Sequence, residues 1–332
     1  MHQMKRWFRL TRRGFIKQAL AGAGAVILPK KLWASAEGVP KRSLGNTGEK
    51  VSILGLGGWH IGSIEEDQAA VRLIRHAVDQ GVTFMDNAWE YHHGRSEELM
   101  GRALKDGYRQ RVFLMSKHHG RKDKKTAMQH LEASLKRLNT DVIDLWQFHE
   151  IIYDDDPEMI FSRNGAIEAA YEAQKAGKVR FIGFTGHKDP RLFLEMLSHD
   201  FPWDAVQMPV NILDAQFRSF QNEVLPKLRE RNIGAIAMKT LGSGHLLKTG
   251  LVKPEECLKY AWSQPVATIV SGIDSMPVLE ENIRLARRFS PMSESAQRQL
   301  LERTRSVALT GKYEPFKTSR QYDGWKGREL HS

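Results

Sequence analysis

The chain has 332 residues, 41% hydrophobic and 27% charged, a globular balance that excludes a disordered or collagen-like protein. Its single cysteine, Cys257, excludes an internal disulfide framework and any cysteine-based zinc or iron–sulfur centre. The formal net charge of +11 is not a nucleic-acid signature: eight Lys/Arg and no acid fall within residues 1–36, leaving 42 basic against 39 acidic residues elsewhere.

Residues 1–36 read as a processing segment. Thr11-Arg12-Arg13-Gly14-Phe15-Ile16-Lys17 precedes an Ala/Gly-rich apolar run, Ala19 to Leu28, and Ala34-Ser35-Ala36 offers an A-x-A cleavage site. The apolar run is roughly half the ~20 residues that a membrane span needs, so no stable membrane anchor is expected. The paired arginines followed by Phe-Ile-Lys resemble a twin-arginine (Tat) signal. That resemblance implies cleavage after Ala36, the Tat machinery as a partner, and a periplasmic or otherwise exported mature chain.

From Lys41 onward, short apolar runs alternate with amphipathic stretches. Arg42-Ser43-Leu44-Gly45-Asn46-Thr47-Gly48 reads as a β-hairpin. Strands are expected at Val51–Leu56, Val82–Met85, Val112–Met115, Val142–Phe148, Val179–Phe184, Ala205–Met208, Gly234–Met238 and Ala267–Val270. The helical spacing of Ala70, Leu73, Ile74, Ala77 and Val78 sets a helix over Glu66–Gln80. Further helices follow at Ser96–Lys105, Lys124–Leu138, Gly165–Ala176, Pro190–Ser198, Asn222–Arg231, Pro254–Trp262 and Pro277–Arg288. Eight strand–helix pairs with buried strands predict an α/β protein, a single (β/α)8 barrel over residues 37–289. Residues 290–332 are expected to be a C-terminal helix and tail packing on it. No G-x-G-x-x-G opens a helix after a strand, which argues against a dinucleotide-binding doubly wound fold.

In such a barrel, chemistry sits where strands end at the C-terminal face. Those ends carry Asp86, Lys117 and His149 on three successive strands, with Tyr91 five residues beyond Asp86. Each alone has a structural explanation; together they predict one shared site.

The motifs around these residues are similar to those of the aldo-keto reductase superfamily. The resemblance runs through Val51-Ser52-Ile53-Leu54-Gly55-Leu56-Gly57, Phe84-Met85-Asp86-Asn87-Ala88-Trp89-Glu90-Tyr91 and Gly94-Arg95-Ser96-Glu97-Glu98-Leu99-Met100-Gly101. It continues in Leu145-Trp146-Gln147-Phe148-His149 and Arg180-Phe181-Ile182-Gly183-Phe184-Thr185-Gly186-His187. It implies hydride transfer between NAD(P)H and a carbonyl or alcohol, with Asp86, Tyr91, Lys117 and His149 as the catalytic tetrad. Tyr91 is then the proton donor, Lys117 draws its phenol pKa down, Asp86 holds the ammonium, and His149 orients the carbonyl oxygen.

By the same resemblance, Thr185 and Gln207 meet the nicotinamide carboxamide, with Gly186 standing where the family usually has asparagine. Met238 replaces a stacking aromatic ring. The loop from Lys239 through Leu241 and Gly242 approaches the pyrophosphate, and Ser271, Gly272, Asp274, Ser275, Glu281 and Asn282 surround the adenosine. NADP-preferring relatives carry Lys and Arg ten and four residues before that Asn; here Gly272 and Val278 occupy those positions. The carboxylate of Asp274 suits a free ribose hydroxyl and repels a phosphate, so NAD(H) is favoured over NADP(H).

Trp59, His60, Trp89, His92 and Glu150 are expected to line a pocket for a small polar substrate such as a sugar. His93, His118, His119 and His187 cluster with them. Imidazoles and a carboxylate have zinc-binding chemistry, but they come from separate loops, and the resemblance implies no metal. Three alternatives stay open: a redox-neutral sugar-modifying enzyme retaining NAD through export, a non-catalytic cofactor-sensing barrel, and a barrel metal hydrolase.

Overall fold

In the computed structural model, which describes residues 38–331, the apolar runs become ten strands. The twin-arginine segment and its cleavage site lie outside the described residues. β1 (Lys41–Ser43) and β2 (Lys50–Ser52) form an antiparallel hairpin with Arg42 opposite Val51. β3 (Leu54–Gly57), β4 (Phe84–Asp86), β5 (Phe113–His118), β6 (Ile143–Phe148), β7 (Val179–Thr185), β8 (Ala205–Pro209), β9 (Gly234–Met238) and β10 (Thr268–Ser271) follow in order around a closed parallel barrel. β10 pairs with both β9 and β3 and closes it.

The expected strand Val51–Leu56 is therefore two strands. Between them Ser52 and Thr83 exchange side-chain bonds with each other's backbone, Ser52 N to Thr83 Oγ1 at 3.0 Å and Thr83 N to Ser52 Oγ at 2.8 Å. These hydroxyls take the place of ladder carbonyls, and the chain bends into the barrel at Leu54. The helices fall within two residues of expectation, except Asn222–Arg231, which is two short pieces, Phe220–Glu223 and Leu225–Glu230. Pro226 has no N–H to donate back to Asn222, so one continuous ladder cannot form there.

Strand period two sorts the side chains. Phe84, Phe113, Met115, Leu145, Ala205 and Ile236 fill the barrel interior together with Leu44 and Val51 from the hairpin. Met85, Leu114, Trp146, Phe148, Val206 and Ala237 face the helices. The hairpin thus plugs the N-terminal mouth and leaves chemistry to the other end.

A third cluster joins Ile212, Leu213, Leu246 and Tyr260 to Leu300 and Ala308 of the helix Glu294–Ala308. Beyond it, the ammonium of Lys317 is wholly buried 2.6 Å from Asp214 and 3.1 Å from Glu314, and donates to Phe217 O at 2.7 Å. Among the described residues, no helix is long and apolar enough to cross a membrane.

Leu44 is fully buried, so Leu44→Ala leaves a cavity at the barrel floor. A loss of about 2–5 kcal/mol in denaturant unfolding is expected; a loss below about 1 kcal/mol contradicts the plug.

Candidate active site

The same alternation that sends Phe84, Phe113 and Leu145 inward carries Asp86, Lys117 and His149 inward two or four residues later. Thr185, Gln207 and Met238 follow Phe181, Ala205 and Ile236 in the same way. Three of the tetrad candidates, Asp86, Lys117 and His149, are the last inward positions where their strands open at the C-terminal mouth.

Lys117 is fully buried and has three donors. They meet Asp86 Oδ2 at 2.9 Å, Asn87 O at 2.7 Å and Tyr91 Oη at 3.0 Å. Asp86 Oδ2 also accepts from Gln207 Nε2 at 2.8 Å. Tyr91 reaches the lysine because the chain after β4 turns tightly, with Tyr91 N bonded to Ala88 O at 3.1 Å. Its ring lies edge-on to His149, with centroids 5.5 Å apart. Trp59, 52% exposed, stands edge-on to Tyr91 at 5.5 Å, and its carbonyl meets His92 Nε2 at 2.8 Å. The sequence expects one shared site, and the structure places Asp86, Lys117, Tyr91 and His149 side by side.

They differ on the phenol. Burial pushes Tyr91 well above its ordinary value, and the nearby charges of Asp86, Glu90 and Glu150 push the same way. Burial dominates that shift and Lys117 is not among the groups that set it, so the expected lowering of the phenol by the ammonium finds no support here. Burial lowers Lys117 as well, opposed by Asp86. Burial sends His149 well below its ordinary value, with His119 and Lys117 adding repulsion, so the ring is neutral.

Several expected binding residues gather near this mouth. Gln207 Oε1 is buried and has no partner. Thr185 is buried beside it across the β7–β8 pair. Gly186 has no room for the family's asparagine: a Cβ there would lie 2.3 Å from Ile151 O and 2.8 Å from Phe193. His60 lies over Gly272, where a Cβ would come 2.3 Å from its ring. Asn282 donates to Ser271 Oγ at 2.9 Å.

Asp274 is exposed, and Ser275 rather than Asp274 is the N-cap residue of the helix Met276–Arg287. Met238 and Leu241 are half-buried beside Lys239, which has φ +57° and places its ammonium 5.3 Å from the Tyr322 ring. Gly242, φ +58°, packs under Tyr313 O.

Two expected residues also make contacts outside the tetrad. Trp89 stacks on His130 at 3.7 Å rather than joining Tyr91. Glu281 points outward into an ion pair with Arg284 at 2.6 Å.

Beside His149, the structure joins the expected His119, His187 and Glu150 to Glu90 and Arg121, which sequence reasoning did not single out. Glu90 Oε1 lies 2.9 Å from His119 Nε2 and 3.5 Å from His149 Nδ1. Glu150 Oε1 lies 3.7 Å from His187 Nε2 and accepts from Gly324 N at 3.0 Å. Burial alone would raise Glu150, but His187, His119 and Arg121 outweigh it and bring the carboxyl down to about 2. The histidines were visible in the sequence; Glu90 and Arg121 carried no signal, being an acid and a base in loops.

Glu90, His119 and His149 bring three ligand-type atoms within 4.8 Å of one another. A guanidinium can only donate, and Arg121 Nη1 faces His119 Nδ1 at 3.2 Å. His119 Nδ1 therefore accepts, which leaves Nε2, the atom a metal would need, as the ring's N–H.

Residues 53–257 match the model of the aldo/keto reductase family. The chain belongs to the aldo/keto reductase family. Aldo-keto reductase YhdN of Bacillus subtilis is 31% identical over 229 residues, 64% of this chain and 65% of its own length, so the match spans less than two thirds of that relative. The uncharacterized oxidoreductase YqkF of Bacillus subtilis is 26% identical over 292 residues, 74% of this chain and 90% of its own. Among solved structures, the thermostable aldo-keto reductase Tm1743 superposes with a TM-score of 0.65 at 26% identity, covering 80% of this chain and 99% of that one. AKR11C1 of Bacillus halodurans shares the fold, with a TM-score of 0.69 at 24% identity over 80% of this chain and 96% of that one. The barrel fold is thus common ground between this chain and those structures.

Lys117→Met leaves buried Asp86 with the Gln207 amide alone. Breaking a buried pair from one side costs about 3–5 kcal/mol. Urea unfolding is expected to show a loss of that order, and an unchanged midpoint would mean that Asp86 is compensated elsewhere.

Proposed function

We propose that this chain is a nicotinamide-dependent oxidoreductase of the aldo-keto reductase type, moving hydride between NAD(H) and the carbonyl or alcohol carbon of a small polar substrate. Tyr91 serves as its acid and base. The observation that carries this reading is the 3.0 Å bond from Lys117 Nζ to Tyr91 Oη. Because the ammonium donates to Oη, the phenol's own proton is left to point at another acceptor. A carbonyl oxygen at the mouth is that acceptor.

The residues present fit the dinucleotide. Gln207 commits its Nε2 to Asp86 and keeps Oε1 as a buried, unpartnered acceptor suited to a carboxamide NH2. When bound, the dihydronicotinamide supplies the hydride that adds to the carbonyl carbon. The raised phenol holds its proton until the carbonyl oxygen gains the electron pair, and Tyr91 then gives it up to that oxygen. The phenolate left behind is the state that the Lys117 ammonium stabilises, so the lysine acts mainly on the transition state and after it. In the reverse direction the phenolate takes the alcohol proton.

Tyr91→Phe removes only the proton source. A fall in kcat of about 10²–10⁴ is expected, with dinucleotide binding by fluorescence titration nearly unchanged. Retained turnover overturns the role of Tyr91.

NAD(H) is the preferred dinucleotide in this reading, because exposed Asp274 is free of a capping role and a carboxylate there repels a ribose phosphate. Other members differ: an aldo/keto reductase of Klebsiella pneumoniae was solved with NADP, and a Schizosaccharomyces pombe relative carries NADP(+) in its name. Titration is expected to give tighter binding of NADH than NADPH, with the gap narrowed in Asp274→Ser. Tighter NADPH binding in the unmodified chain reverses the assignment.

A second reading, a retained nucleotide with redox-neutral chemistry, is favoured by the tail lying over the Lys239–Gly242 loop. It accords with the Tat-like segment and export to a compartment without free nucleotide. Mass spectrometry of the denatured exported protein separates the two: stoichiometric NAD supports retention, and an empty protein supports exchange.

A further inference from the structure

Tyr91 sits in a loop, residues 89–94, that ends in three consecutive residues with positive φ: His92 at +49°, His93 at +55° and Gly94 at +97°. Side-chain-bearing residues adopt that conformation rarely and at a cost, and two histidines in a row hold it here. Contacts from outside the loop must keep it on this path.

Arg137 supplies them. It lies in the last turn of the helix Lys124–Leu138, outside the barrel. Its Nη1 donates to Trp89 O at 2.8 Å, while Trp89 N donates to Lys117 O at 2.9 Å. The backbone of Trp89 is thus tied to β5 on its N–H side and to the helix on its carbonyl side. At the other end of the loop the guanidinium lies against Gly94, where a Cβ would come 2.4 Å from Cζ and 2.5 Å from Nε. One side chain therefore meets both ends of the loop that carries the phenol.

The arginine is itself held. Glu97, fully buried in the helix Arg95–Ala103, places Oε2 3.3 Å from Nη1 and accepts from Ser116 Oγ at 2.5 Å through Oε1. Gly101 lets the two helices approach this closely, since a Cβ there would lie 2.3 Å from Arg137 O. Ser116 precedes Lys117 on β5, so its side chain leaves the opposite face of the strand. Ser116, Glu97, Arg137 and Trp89 O form an outer circuit that joins the strand of Lys117 to the loop of Tyr91. The 3.0 Å bond from Lys117 to Tyr91 closes the same connection on the inside.

We propose that Arg137 is a positioning residue for proton transfer: through Trp89 O and Gly94 it keeps the Tyr91 loop on its strained path and so sets Oη against Lys117. This rests on the reading of Tyr91 as proton donor. Arg137 touches no tetrad side chain, so its effect passes through the loop.

Arg137→Met alone would leave Glu97 as an unpaired buried carboxylate, so the test combines it with Glu97→Gln, which removes that charge. The assay is reduction of glyceraldehyde by NADH in the full chain. Misplacing a reacting group by about 1 Å costs up to about 10²-fold, and a fall in kcat of roughly 10–10²-fold is expected in the double variant. Its dissociation constant for NADH is expected to stay nearly unchanged. Glu97→Gln alone, whose amide oxygen still accepts from Arg137, is expected to keep kcat close to that of the unmodified chain. A double variant with unaltered kcat overturns the proposal, and so does an equal loss in Glu97→Gln alone.

Tyrosine labelled with ¹³C at Cζ provides a readout that needs no turnover. Among the seven tyrosines, the Tyr91 resonance is assigned by its loss in Tyr91→Phe. It is expected to shift in the double variant and to stay in place in Glu97→Gln. An unmoved resonance in the double variant overturns the proposal. Retained turnover in Tyr91→Phe, or no turnover of glyceraldehyde by the unmodified chain, counts instead against the Tyr91 reading, and the resonance then decides the role of Arg137 by itself.

Discussion

Everything at the mouth of the barrel depends on how one buried ammonium is satisfied. Lys117 has three N–H groups and three acceptors: a carboxylate, a backbone carbonyl and a phenol. Losing any of them would leave a buried donor unpaired, which costs several times the net worth of an ordinary hydrogen bond. The requirement fixes the end of β4, where Asp86 and Asn87 sit, and the tight turn that returns Tyr91 to the same nitrogen. The orientation of the phenol is thus a by-product of satisfying the lysine. Asp86 is held in turn by the Gln207 amide, which extends the constraint across the barrel to β8.

Much of this was legible because a parallel barrel obeys a short period. Once an apolar residue such as Phe84, Met115 or Leu145 is known to face inward, the residue two positions on must face inward too, and the last one meets the mouth. That arithmetic places Asp86, Lys117 and His149 without any knowledge of distance. Tyr91 lies outside the strand, so its placement rested on motif resemblance, and its direction on the bond to Lys117.

What the sequence concealed falls into two physical kinds. The first is competition between side chain and backbone. Nothing in the apolar pattern of Val51–Leu56 signals that Ser52 and Thr83 replace ladder bonds and divide the strand. The second is convergence of distant loops. Arg121, Glu90 and Gly324 come from two separate loops and the tail, and their meeting depends on tertiary packing rather than on any local spacing. Trp89 is placed by the same kind of packing: its neighbours in sequence are Tyr91 and Glu90, and its ring finds a flat surface on His130. Gly186, read as a missing side chain, is a position that Ile151 O and Phe193 leave no room to fill.

The tail closes this argument from the other side. A buried Lys117–Asp86 pair strengthens as its surroundings lose water, but burial also makes each charge more expensive. Gly324 lies directly against the carboxylates of Glu90 and Glu150 and donates its N–H to the latter. It thereby excludes water from one flank of the site while adding a donor. The tail can hold that position because Lys317 is locked between Asp214 and Glu314 with no exposure at all. Burial raises the Glu314 carboxyl to about 7, so part of that lock is sensitive to pH near neutrality. One buried lysine sets the geometry of the candidate tetrad, and a second, distant in the fold, secures the segment that keeps it dry.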